Sequence, residues 1–194
     1  MAIVNDFQVN GLFPSVVSSN TAAVQYFPRL LGSSIGVQSV APSSTSAAGQ
    51  LVVPGNNEVN GQMFSVILGS SFLDGSGDPS ATATLSLYAN TGTVTSPTYT
   101  LLGSATTAAP LVAGAQDIAL EFKLFGTTAS GILQGTYSGT KGPGTIVSGA
   151  EITNTLSGIN FGNSVPLGLV AAATFSTANA SNVAKLYQFQ ISIA

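Results

Sequence analysis

The sequence predicts an all-β chain, an antiparallel β-sandwich of jelly-roll-like build with an extended N-terminal arm. From Gln50 onward, apolar and polar residues alternate in short runs, the period of strands with one wet face. Clusters of Gly, Pro, Asn and Asp separate these runs at intervals that suit a sandwich. Capped segments of helical period are missing throughout.

The clearest pair of strands lies between Asp117 and Gly139. Its first run places Ile118, Leu120, Phe122 and Leu124 on one side and Ala119, Glu121 and Lys123 on the other. Gly126 to Gly131 breaks the pattern, and the second run sets Leu133 and Tyr137 against Gln134, Thr136 and Ser138. An antiparallel hairpin with a loop of about five residues is the simplest reading.

The other elements follow in order. Residues 1–49 are expected to form the arm, with one or two short strands, and residues 50–194 the sandwich. In the arm Phe7, Leu12, Phe13, Tyr26 and Phe27 lack a sustained period, and Pro14 and Pro28 interrupt any helix. Pro42 to Gly49 reads as a low-complexity linker. So many large apolar residues need a surface to lie on, which makes Phe7, Leu12, Phe13, Tyr26 and Phe27 the candidate interface residues. Strands are then expected at Gln50 to Val53, at Gln62 to Leu68 with Phe64, Val66 and Leu68 on one face, and at Ala81 to Ala89 with Leu85 and Leu87 inward. Thr98 to Leu102 and Thr145 to Ile152 read as further strands, Asn160 to Asn163 as a turn, and Val165 to Phe175 as a buried strand. In the last strand, Val183 to Ile193, strict alternation puts Tyr187, Phe189, Ile191 and Ile193 on one face.

Charge is the anomaly. Only 6% of the 194 residues are charged, against roughly a quarter in ordinary soluble domains. A monomer of this mass exposes roughly 8,500 Å² by the usual scaling, so eleven charges amount to about one per 770 Å². Such a surface repels neighbours weakly and is readily desolvated in a protein contact, which favours a subunit of an assembly. Four basic residues and a net charge of -3 leave no footprint for nucleic acid. The longest apolar stretch is too short for a membrane span. The start, Met1 to Asp6, has no basic residue ahead of an apolar run, so no signal peptide is expected.

Catalytic chemistry has few starting materials. Cysteine and histidine are absent, which removes the Cys–His and Ser–His nucleophilic arrangements and makes zinc improbable. Asp117 and Glu121 share a strand face, but their Cα atoms would lie roughly 13 Å apart, and Glu121 with Lys123 reads as a solvated ion pair. No catalytic residue and no cofactor is expected. Asp74 and Asp78, in a Gly-rich loop, are a weak candidate for Ca²⁺; a plain turn is favoured because the acidic density of an EF-hand is lacking.

Several segments carry a resemblance. Met63-Phe-Ser-Val66, Leu85-Ser-Leu-Tyr88, Leu133-Gln-Gly-Thr-Tyr-Ser-Gly139 and the ending Phe175 to Gln190 resemble a pattern recurring in tailed-bacteriophage virion proteins of the capsid decoration (cement) type. The similarity covers roughly residues 50 to 194 and leaves out the arm. It implies a non-enzymatic β-sandwich subunit on the outer capsid surface, bound to the major capsid protein as a homo-oligomer such as a trimer, without nucleic-acid or membrane partners. The alternative is a tail, fibre or host-surface module that binds carbohydrate. Such sites present aromatic platforms, whereas this chain has no Trp and five Tyr, most of them inside strand patterns.

Overall fold

A computed structural model describes residues 7–10, 16–18, 24–27, 37–40, 48–53, 63–73, 75–92, 98–108, 116–127, 132–141, 145–155, 167–179 and 181–193. These hold thirteen strands: β1 (Phe7–Asn10), β2 (Val16–Ser18), β3 (Gln25–Tyr26), β4 (Val37–Val40), β5 (Ala48–Val53), β6 (Met63–Leu73), β7 (Ala83–Asn90), β8 (Tyr99–Thr106), β9 (Gln116–Thr127), β10 (Ile132–Lys141), β11 (Thr145–Thr155), β12 (Leu167–Phe175) and β13 (Asn182–Ile193). Sheet I runs β1-β13-β6-β9-β10-β11, with β2 also on β13; sheet II runs β4-β5-β12-β7-β8, with β3 also on β12.

The expected all-β sandwich of two antiparallel sheets is what forms, but its chain path is not a strict jelly roll, because β7 and β8, and likewise β9, β10 and β11, are consecutive neighbours within one sheet. After β5 in sheet II the chain crosses to β6 in sheet I, returns for β7 and β8, crosses again for β9 to β11, and ends with β12 and β13 in opposite sheets. These last two strands enter the middle: β12 lies between β5 and β7, and β13 between β1 and β6.

Alternation selects the core. Phe64, Val66 and Leu68 of β6 and Ile118, Leu120, Phe122 and Leu124 of β9 point inward from sheet I, meeting Leu85 and Leu87 of β7 and Leu169, Ala171 and Ala173 of β12 in one buried cluster. Phe72 and Phe175 close one part of it edge to face, with ring centroids 6.0 Å apart. Each of the Val, Leu, Ile and Phe side chains among them contributes about 1.5–3 kcal/mol by leaving water. On β12 every residue from Leu169 to Ala173 is fully buried, which is why its sequence is a continuous apolar run.

The expected antiparallel hairpin of β9 and β10 forms, with Thr127 opposite Ile132 and Phe122 opposite Tyr137. Two of its glycines are sterically dictated. A Cβ on Gly135 would collide with the Lys123 carbonyl oxygen, and one on Gly139 with that of Ala119. The spacing of Gly-Thr-Tyr-Ser-Gly therefore follows from β10 lying close against the β9 backbone. Tyr137, between the two, stacks on Phe122 at 5.1 Å.

The far edges of the two sheets are joined. The Tyr137 hydroxyl donates to the Ser104 carbonyl at 3.2 Å, and Asn154 Nδ2 donates to the Leu101 carbonyl at 3.2 Å. Thus β10 and β11 reach over β8, whose outer backbone groups they partly satisfy.

Two expectations are corrected. The last strand does not alternate strictly: Leu186 pairs with Ser70 and Gln188 with Gly69, so Tyr187 is an extra residue at a β-bulge. Ala184 and Leu186 are buried before the bulge, and Phe189 and Ile191 after it, which turns Tyr187 outward. The arm, over its described residues, consists of four short strands rather than one or two; β1 and β2 pair with β13, β3 with β12, and β4 with β5. The expected turn at Asn160 to Asn163 and most of the linker from Pro42 lie outside the described residues, while Ala48 and Gly49 belong to β5.

Candidate functional site

The predicted interface residues do not form one site. Phe27 is only 1% exposed and belongs to the main core cluster, its N–H donating to the Ala171 carbonyl at 3.1 Å. Its assignment as an interface residue is therefore corrected: a ring buried against its own domain has nothing left to offer a neighbour. Phe7 stands opposite Ile191 and Tyr26 opposite Ala172 in the backbone register. Leu12 and Phe13 lie outside the described residues.

Asp78 serves a loop. Its Oδ1 accepts from the Ser80 N–H at 2.8 Å and the Ser80 hydroxyl at 2.7 Å, and its Oδ2 accepts from the Thr177 hydroxyl at 3.1 Å. The Ser80 N–H above all, then the Ser80 and Thr177 hydroxyls, hold the carboxyl below its usual range. Nearby, fully buried Asn182 accepts from the Gly75 N–H at 2.9 Å and donates to the Thr177 carbonyl at 2.7 Å. Asp78 and Asn182 together tie the β6–β7 loop to the β12–β13 loop. Asp74, the other cation candidate, lies outside the described residues. Among the described residues no group of three or more metal-binding side chains comes together.

The carboxylates of β9 face water. Asp117 and Glu121 are both exposed on the outer side of sheet I, and Glu121 sits 4.0 Å from Lys123 with both side chains about half exposed. Such a pair is worth at most about 1 kcal/mol. Its chemistry is that of a solvated surface.

Charge is distributed unequally between the sheets. Sheet I carries Asp117, Glu121 and Lys123 on β9, Lys141 on β10, Glu151 on β11 and Lys185 on β13, which is six of the chain's eleven charges. The strands of sheet II carry none. Its β7 and β8 present Thr84 and Thr106, whose hydroxyls lie 2.7 Å apart, together with exposed Leu101.

The outer face of sheet I also holds a feature that strict alternation hid. Tyr187 is 48% exposed, next to Gln188, whose Nε2 donates to Gln190 Oε1 at 3.3 Å. Only a bulge makes this arrangement, and a bulge leaves no local mark in the sequence.

No protein-family model and no curated protein matches the chain. Among solved structures, the CBM2 module of the evolved Dit of Lactobacillus casei BL23 phage J-1 is similar at 12% identity, covering 92% of this chain and 90% of that one with a TM-score of 0.37. A likeness of that degree says nothing about ligands or partners.

Proposed function

We propose that the chain is a non-enzymatic structural subunit of a bacteriophage virion, a decoration protein that attaches to the outside of the head through protein contacts. The observation that carries this reading is the division of charge: six charged residues on the strands of sheet I and none on those of sheet II. Interface cores are depleted in charge; β12 is already buried on both faces, and the part of sheet II left open at β7 and β8, with Thr84, Thr106 and exposed Leu101, is uncharged and loses little on drying. The resemblance of the Leu133 to Gly139 and Phe175 to Gln190 segments to tailed-phage virion proteins supports a place in the particle and leaves its layer open. Quantitative mass spectrometry of purified particles tests the layer: hundreds of copies per particle fit the head, whereas a few to tens fit a tail or fibre.

A second reading, a tail or fibre module that binds the host surface, is favoured by Tyr187. The scarcity of aromatic platforms weighs against that reading, but Tyr187 stands outward on sheet I at 48% exposure.

A further inference from the structure

We infer that the outer face of sheet I beside the β13 bulge is a binding site for a neutral polysaccharide. The register of β1 on β13 places Gln8 opposite Gln190 and Asn10 opposite Gln188, so four carboxamide residues occupy a block of two by two positions on neighbouring strands. On the other side of β13, Gln188 is opposite Gly69 and Gln190 opposite Ile67, and Gly69 in turn is opposite Ala119. The block is thus bordered by a low step, made by two positions with little or no side chain in the middle of a broad sheet.

Packing does not require that step. A Cβ on Gly69 would meet the Gln188 Cβ at 3.4 Å, an ordinary van der Waals separation. A glycine inside a strand weakens it, and close approach of a ligand is one of the few returns for having it there. Tyr187 stands at the rim as the extra residue of the bulge, 48% exposed, a placement bulges commonly give to functional side chains.

Ligand class follows from the groups present. The carboxamides of Gln188 and Gln190 offer both donors and acceptors without charge, which suits the vicinal hydroxyls of a sugar, and they are bonded to each other. The ring of Tyr187 suits the C–H face of a pyranose. Neither the four carboxamide positions nor Tyr187, Gly69 and Ile67 brings a charge, so an acidic or basic ligand would find no counter-ion within the block. The inference does not rest on the head reading and holds equally for a tail or fibre subunit.

The test is affinity electrophoresis of the full chain in native gels cast with soluble neutral polysaccharides (a glucan, a mannan and a galactan), with alginate as the acidic control. At least one neutral polymer is expected to retard the protein, equally at low and high salt. Tyr187→Ala and Gln190→Ala are each expected to weaken the interaction about two- to tenfold, with thermal melts unchanged, whereas Leu101→Ala on β8 leaves it intact. Absence of retardation in all three neutral polymers, retardation by alginate alone, or variants that bind as the wild type does would overturn the proposal. So would loss of particle attachment in Tyr187→Ala without any glycan binding, which would make this face a protein contact. Particle copy number reads the proposed layer separately, so the two ideas fail independently.

Discussion

Substituting Gly103 probes the junction between the sheets. Gly103 follows an irregularity in the β7–β8 pairing, where Leu87 is opposite Gly103 but Tyr88 is opposite Leu101. A Cβ there would sit 2.7 Å from Tyr137 Cε1 and 2.8 Å from Phe122 Cε1, inside the contact distance of both rings of the stacked pair. Gly103→Ala should therefore overpack the junction and cost about 1–3 kcal/mol, which at about 2–4 °C per kcal/mol for a chain of this size lowers the melting temperature by roughly 2–12 °C. Tyr137→Ala, losing a half-buried ring and the bond to Ser104, should cost about 2–4 kcal/mol. In the double variant the new methyl occupies space the tyrosine has left, although Phe122 still crowds it. The combined cost should fall short of the sum by about 1 kcal/mol or more. Urea melts of the four proteins complete the cycle. Additivity within about 0.5 kcal/mol would mean that Gly103 and Tyr137 do not share this space, and the account of how β10 closes over β8 would be wrong.

Other expectations can be checked in the same way. Phe122→Ala should cost about 3–5 kcal/mol and Glu121→Ala no more than about 0.5 in a denaturant melt; similar losses would put the β9 register one residue off. Asn182→Ala leaves the Gly75 N–H and Thr177 carbonyl without their partner and should cost about 1–3 kcal/mol by calorimetry. Asp78 has a folded-state pKa lowered by its donors, so its contribution is present above the ordinary aspartate value of about 3.9 and is lost as pH falls through the lower folded value. Asp78→Asn should remove that acid-dependent step from a plot of melting temperature against pH. Deleting residues 1–45 takes away β1 to β4 and the buried ring of Phe27; cooperative melting should disappear, and a truncated chain that still melts cooperatively would show that these strands are dispensable. Purified protein is expected to show no hydrolysis of peptides, esters or glycans, and turnover lost in Asp117→Asn or Glu121→Gln would reverse that expectation.

What the sequence revealed was whatever its local period encodes. Phe64, Val66 and Leu68, the four inward residues of β9, and the buried run of β12 could all be placed by counting in twos, because a half-buried strand leaves no other choice. The central hairpin itself followed from the break between its two alternating runs. The misreadings share one cause, which is that distant partners decided the outcome. Tyr187 was assigned inward because a bulge shifts the period by one, and the bulge is set by pairing with β6, more than a hundred residues earlier in the chain. Phe27 had no periodic neighbours because the strand just before it, β3, has only two residues, and its place is set by β12 through the Ala171 carbonyl. The division of charge between the sheets was equally hidden, since topology decides that β9, β10, β11 and β13 share one face while the uncharged β7, β8 and β12 share the other. The site residues were the least legible part, because the carboxamide block joins β1 to β13 across nearly the whole chain.

The bridge across β8 bears on solubility. A protein with 6% charged residues has little mutual repulsion to keep copies apart while they accumulate, and open strand edges are then the usual route to irreversible aggregation. With the Tyr137 hydroxyl on the Ser104 carbonyl and Asn154 on that of Leu101, two backbone acceptors that a foreign strand would recruit are already engaged. Two uncharged side chains there do the protective task that lysines perform at the sheet margins of more highly charged proteins, and they leave the surface as easy to dehydrate as before.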